Sequence, residues 1–153
     1  MPKPIITVAA AVLWNNIFMQ LKGIGVNMIA LGSDHAGFPL KQEIMKHFDE
    51  IGVEYKDYGC YSPERFDGIS MAANKVKGIR AAACSDYFSA KYTRLHNDAN
   101  CLCLGDRVVG AGLALELVDV FINTGFEGGR HATRVGQKIK LWILKPAKSF
   151  IKL

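Results

Sequence analysis

The stretch MIALGSDHAGFPLK, residues 28–41, decides the fold of this 153-residue chain. Its opening run, Met28 to Leu31, is apolar without alternation. A short strand of that kind is buried on both faces, as in a parallel sheet. Gly32 ends the run, Ser33, Asp34 and His35 follow, and Gly37 opens a helix. In open α/β sheets, ligands bind beyond the carboxyl ends of the strands. Asp34 and His35 therefore stand where an acid/base pair could meet a small polar substrate. The same pattern also fits an ordinary βα turn in which Asp34 caps the helix.

Downstream, Leu40, Ile44, Phe48 and Ile51 recur at helical spacing, and Gly52 ends that helix. Val53 to Tyr58 reads as a second strand, closed by Gly59. Residues 60–67 are polar loop, and Gly68 leads directly into a helix start at Ile69 to Asn74. No strand precedes that helix, although βα alternation would place one there. The second half is regular. Ile79 to Cys84 is a strand, Phe88 to Leu95 a helix ending at His96-Asn97-Asp98, and Cys101 to Leu104 a strand followed by Gly105-Asp106-Arg107. Leu113, Leu117, Val118 and Phe121 mark an amphipathic helix over Ala111 to Thr124. After Gly128-Gly129 a last helix carries Arg130, His131 and Arg134, the two arginines four apart on one face. Asp34, His35, His96, Asn97 and Arg107 are expected to gather at strand ends.

Upstream, Ile5 to Trp14 is a ten-residue apolar run, followed by Asn15-Asn16 and Ile17-Phe18-Met19. It is too short for a membrane span. Lys3 before it suits a signal peptide, but no A-x-A-type cleavage site follows closely. Ala9-Ala10-Ala11, with no breaker after Pro4, favour a helix. The expected organisation is an extension over 1–27, one α/β domain over 28–140 and a basic tail over 141–153.

The formal charge is +5, and Lys138, Lys140, Lys145, Lys148 and Lys152 lie in a final stretch without Asp or Glu. Without those five lysines, the 14 remaining basic residues balance 14 acidic ones, which excludes a nucleic-acid surface on the body of the chain. The lysine-rich end reads as solvated. Cys101 and Cys103 face one side of a strand. They have no second ligand pair for zinc, so with Cys60 and Cys84 they read as buried thiols of a reducing cytoplasm.

GSDHAG, SMAANKVKGIRAA, CSD, HNDAN, LGDRVVG and EGGRH, in that order, resemble the type B ribose-5-phosphate isomerases and the related galactose-6-phosphate isomerases, over Met28 to about Lys140. The resemblance implies a Rossmann-like three-layer α/β/α sandwich with a mostly parallel sheet and a homodimer with sites at its interface. It implies a phosphorylated sugar as substrate and no metal or cofactor. No nucleic acid or membrane takes part, and the place is the pentose phosphate pathway. Aldose–ketose isomerisation needs ring opening, removal of a proton from carbon to give an enediolate, donors for the enediolate oxygen, and cations for the phosphate. By resemblance, His96 opens the ring, Asn97 and Asp34 hold the sugar, and His35, Arg107, Arg130 and Arg134 bind the phosphate. Gly68 and Ser70 are what remains of the anion-binding loop.

The chain also departs from the family pattern. Between the SPER loop and SMAANK the family has a helix, a buried central strand and a glycine-rich loop; here only Phe66 and Asp67 separate Arg65 from Gly68. About one βα unit, on the order of 30 residues, is missing. One branch of the family carries its carbon base as a Cys opening that loop, the other as a Glu after the last loop glycine. Here no C-G-T-G pattern exists, and Ile69 follows Gly68. Two readings remain open. One is an isomerase that recruits Asp67, Glu64 or Cys60. The other is a non-catalytic homologue that binds a sugar phosphate or dimerises. For the sheet, direct pairing of Met28–Leu31 with Ile79–Cys84 is expected. Entry of Ile5–Trp14 as a replacement strand and an open sheet are the alternatives.

Overall fold

In the computed structural model, residues 5–8, 29–58 and 69–141 are described. The elements are β1 (Ile5–Val8), β2 (Ile29–Leu31), α1 (Phe38–Ile51), β3 (Tyr55–Asp57), α2 (Ile69–Ala73), β4 (Ala81–Ala83), α3 (Tyr87–Asn97), β5 (Cys101–Leu104), α4 (Ala111–Asn123) and α5 (Arg130–Leu141). The chain is an α/β protein, and among the described residues its strand pairs are all parallel.

The sheet corrects two expectations. β2 does not close onto β4. Instead β1 pairs in parallel with β5, from Ile5 opposite Cys101 to Val8 opposite Leu104. On its other side β1 lies within 8 Å, Cα to Cα, of β2. β2 pairs with β3, and β4 with β5; the hydrogen-bonded strands form two sheets, β1-β5-β4 and β2-β3, which lie side by side where β1 neighbours β2. The start of the extension thus occupies the slot beside β2 that the resemblance assigns to the lost strand. The helix expected over Ile5–Trp14 is also overturned at Ile5–Val8, which are extended. Without β1 the free edge of β5 exposes a row of unpaired N–H and C=O groups, and satisfying it outweighs the few tenths of a kcal/mol per residue that local helix preference supplies.

The two faces of the sheet differ. On one, Ile29, Leu31, Leu102 and Leu104 are buried with Leu40, Ile44 and Phe48 of α1, Ala90 of α3, and Ala114, Leu117, Val118 and Phe121 of α4. On the other, Cys101 and Cys103 pack with Ala73, Ile79, Val76 and Ala30. Among the described residues, the helix of that second layer is five-residue α2. Cys84, Cys101 and Cys103 are buried, as expected. The apolar face of α4 is spent on the chain's own core, which leaves Leu113 exposed.

The helices set the heights of the functional residues. Gly52, left-handed at φ 70°, ends α1. α3 is capped at its start by Asp86, whose Oδ1 accepts from the Ser89 N–H at 2.8 Å. Its end is fixed at Asp98, in the left-handed region at φ 49°, whose N–H donates to the Arg94 carbonyl at 3.2 Å. Buried Arg94 clamps this corner, donating to the carbonyls of Thr124 at 3.2 Å and of Ala99, while Arg80, just before β4, donates to Asp98 Oδ2 at 2.8 Å.

Candidate active site

The strand-end residues fall into two groups at opposite edges of the sheet. Asp34 and His35 follow β2 and Arg107 follows β5, at the carboxyl edge. Ser70 starts α2, whose far end meets β4 through Asn74, a donor to the Ala81 carbonyl at 2.8 Å. His96 and Asn97 are the last residues of α3, not part of a loop at the carboxyl edge. Their neighbour Asp98 is bound to Arg80 at the amino end of β4. The expectation of a single cluster at strand ends is therefore corrected. α3 spans 11 residues, so the groups lie about 16 Å apart along its axis at 1.5 Å per residue. Gly68, with Cys60, Glu64 and Asp67, lies outside the described residues, as does the chain beyond Leu141.

At the carboxyl edge, Asp34 Oδ1 accepts from the Gly37 N–H at 2.7 Å, the turn-capping contact that its position suggests. His35 and Arg107 are exposed, and Ser70 is half-buried. Ser33 is buried, and its Oγ has no hydrogen-bond partner among the described residues. Lys41, fully buried, donates to both carboxylate oxygens of Asp57 at 2.8 Å, fixing the first turn of α1 against the end of β3. β1 ends level with Leu104 at this edge. The sequence that follows it, Ala9 to Met28, contains no Asp, Glu, His, Cys or Tyr; its one ionisable side chain is Lys22.

At the amino edge, α3 and α5 build a compact polar cluster. The loop before α5 is pinned by the Glu127 N–H, which donates to the Leu95 carbonyl at 3.0 Å. The His96 and His131 rings stack with centroids 4.0 Å apart and planes within 4°. Glu127 Oε2 lies 3.4 Å from His96 Nε2 and 3.9 Å from His131 Nε2. Tyr92 meets His96 edge-on at 5.0 Å. Arg130 Nε reaches His131 Nε2 at 3.5 Å, and Lys138 Nζ donates to Asn97 Oδ1 at 2.7 Å. Lys138 is thus a partner of Asn97 rather than part of a solvated tail. Arg130 and Arg134 are exposed beside this cluster. Burial pushes His131 below the usual imidazole range, helped by the charges of His96, Arg130 and Arg134 and opposed by Glu127. Glu127 and His131 received no role from sequence, although their four-residue spacing in EGGRH was a readable signal.

His96, Glu127 and His131 have the composition of a metal centre, with ligand atoms within 4.8 Å of one another. The geometry does not fit one. Imidazole ligands must aim their lone pairs at a common point about 2.0–2.1 Å away. Stacked, parallel rings aim theirs side by side. Three cations, Arg130, Arg134 and Lys138, further disfavour a metal ion. What the cluster can do is move protons between oxygen atoms and hold an anion.

A family model described as Ribose/Galactose Isomerase matches the chain in two pieces, residues 29–67 and 67–138, which meet at Asp67. Ribose-5-phosphate isomerase B of Escherichia coli (strain K12) is 44% identical over 135 residues, covering 70% of this chain and 91% of that protein. A putative sugar phosphate isomerase of Bacillus subtilis (strain 168), YwlF, is 41% identical over 138 residues, covering 71% of this chain and 93% of its own length. Since 71% of 153 residues is about 109, roughly 29 of those 138 positions have no counterpart here. Among solved structures, ribose-5-phosphate isomerase B of Clostridium thermocellum superposes with a TM-score of 0.70 at 42% identity, covering 74% of this chain and 96% of that one. The Mycoplasma genitalium enzyme with bound ribulose-5-phosphate gives 0.70 at 30%, covering 74% and 95%. Among the described residues no helix is long and apolar enough to cross a membrane.

Proposed function

The chain belongs to the ribose/galactose isomerase family, and from that premise we propose that it binds a phosphorylated aldose but isomerises it to the ketose very slowly or not at all. The observation that carries this reading is β1. It stands in the central slot, and the segment leaving it brings no carboxylate, thiol or imidazole to the carboxyl edge. Losing a placed general base forfeits about 10²–10⁴-fold, and losing the donors of the anion loop adds a comparable factor.

Binding, in this reading, uses His35, Arg107, Arg130 and Arg134 for the phosphate and Asp34, Ser70 and Asn97 for the hydroxyls, with Gly68 as the remnant of the loop. Guanidinium groups suit a phosphate dianion because each offers paired donors. The two edges of one chain cannot meet around one sugar, so the site needs a second copy whose amino edge faces the first copy's carboxyl edge. Exposed Phe38, Tyr87, Phe88, Val108 and Leu113 support that pairing; they lie in first helical turns or in the loop before one. A domain over 28–140 that borrows residues 5–8 for its sheet is the corresponding organisation, with the chain beyond it as a tail.

Purified full-length protein with ribose 5-phosphate tests the reading. Calorimetric binding is expected, with ketose formation at least 100-fold below that of the Escherichia coli relative measured alongside. Comparable rates for the two proteins would overturn it.

A further inference from the structure

We propose that Cys101 and Cys103 form a site for a soft, thiophilic cation, Cu(I) being the one their chemistry selects. The site lies outside the sugar-phosphate machinery and does not depend on it. Both residues belong to β5, where side chains alternate between the faces of the sheet, so two positions apart they point the same way. Their Sγ atoms are 3.9 Å apart. A cation equidistant from both, with bonds of about 2.3 Å as in zinc thiolates, would see them about 116° apart. That angle suits an ion content with two or three sulfurs, and thiolates select soft ions such as Cu(I). A structural zinc ion wants four ligands. Among the described residues no third His, Cys, Asp or Glu ligand atom joins the two sulfurs within 4.8 Å. Cys84 is close in the sheet but packs in the opposite layer.

The surroundings make the pair ignore harder ions. Ala30, Ala73, Val76, Ile79 and Ala81, all with hydrocarbon side chains, pack around it. Cys101 is 2% exposed and Cys103 6%. The hydrogen bond with Cys101, burial, and charge at Cys101 and Cys84 all push the Cys103 thiol above its ordinary value. Two thiolates side by side in such a layer repel each other and lack water. The thiols therefore keep their protons until a cation bonds to sulfur strongly enough to displace both. Binding breaks two S–H bonds, forms two cation–sulfur bonds and releases two protons to solvent, with no change of oxidation state. The charge of the cation takes the place of the missing solvation. Entry is through the cover, where five-residue α2 carries Ala73. A helix that short opens locally at less cost than the ladder beneath it.

The test is anaerobic titration of reduced full-length protein with Cu(I) against bicinchoninate, a coloured Cu(I) chelator. The pair should withdraw one equivalent per chain from the chelator, with release of two protons and a near-ultraviolet thiolate-to-copper band. Cys101→Val and Cys103→Val should each weaken that binding by at least about 100-fold, beyond the roughly 10–100-fold that loss of a supporting partner costs. Cys84→Ala, in the opposite layer, should leave it unchanged, and Zn(II) should not compete. Valine is close to cysteine in size and suits a strand, and urea midpoints check that each variant folds. Where a valine variant does not fold, X-ray absorption at the copper edge of the parent protein decides, with at least two sulfur neighbours expected. No copper withdrawn, full affinity in folded Cys101→Val or Cys103→Val, or nitrogen and oxygen neighbours alone at the copper would each overturn the site. Zn(II) displacing Cu(I) at equal concentration would overturn the selection of a soft cation.

Discussion

Removing residues 1–8 tests whether the extension holds the sheet together. β1 contributes four residue pairs with β5, hence about four inter-strand hydrogen bonds at roughly 0.5–1.5 kcal/mol net each. Their loss costs about 2–6 kcal/mol, against a total stability of about 5–15 kcal/mol for a typical domain. The true cost lies toward the upper end, because the facing backbone groups of β5 also lose their partner unless another strand closes onto it. With a urea dependence of about 1–3 kcal/mol per molar, the unfolding midpoint should fall by about 0.7–6 M, or the chain should not fold at all. Amide exchange gives the local readout, with protection at Cys101–Leu104 dropping furthest. An unchanged midpoint together with unchanged protection at Cys101–Leu104 and Ile29–Leu31 would refute the replacement strand. It would mean that β2 and β5 find partners elsewhere.

Arg134→Ala should weaken ribose 5-phosphate binding by about 1.5–3 kcal/mol, the range for hydrogen bonds to charged groups; equal affinities by calorimetry would separate Arg134 from the site. Phe121, fully buried between α4 and the sheet under the Arg94 guanidinium, should cost about 3–5 kcal/mol on change to alanine, read as a urea midpoint. His131 is held below its ordinary value of 6.5, so the unfolded chain takes up that proton first as pH falls. Stability present above about pH 6.5 is therefore lost as the pH drops toward the lower folded value, and His131→Gln should flatten that part of the stability–pH curve. Light scattering at high protein concentration should show a dimer, and a chain that stays monomeric throughout would remove the basis for a two-copy site.

Much of this architecture was legible in the sequence because single elements declare themselves locally. Leu40, Ile44 and Phe48 are buried as their spacing requires, and Cys101–Leu104 is a fully buried strand, as its unbroken apolar run demands. β1 was not legible for a physical reason. Ala9–Ala11 carry a local preference for helix, whereas Ile5–Val8 answer a vacancy created some 60 residues later in the sequence and pair with Cys101–Leu104, far away along the chain. The amino-edge cluster was half legible. HNDAN and EGGRH contain the residues that meet there, but the turn after β5, the run of α4 and the Arg94 clamp on Thr124 decide that Glu127 and His131 come to rest on His96. The height of His96, at the amino edge, follows from α3 being two residues longer than its apolar spacing suggested at that end.

The loss of one βα unit acts very unequally on the two edges. Everything in the amino-edge cluster comes from one unbroken stretch, residues 92–138, that lies after the junction at Asp67. Its supports, Asp86, Arg94 and Asp98, belong to the same half of the chain. The carboxyl edge is assembled from both sides of the junction, and its central piece is the one exchanged. A strand can be replaced by any extended segment able to pair, because the ladder is made of backbone groups that every residue but proline carries in full. A base at a reacting carbon cannot be replaced that way, since it depends on one side chain held within about 3 Å of one atom. A sheet repaired with β1 therefore regains the ladder along β5 without regaining the chemistry of its old loop. The amino-edge cluster, drawn wholly from the undisturbed half, is the part of the architecture such a repair leaves in place.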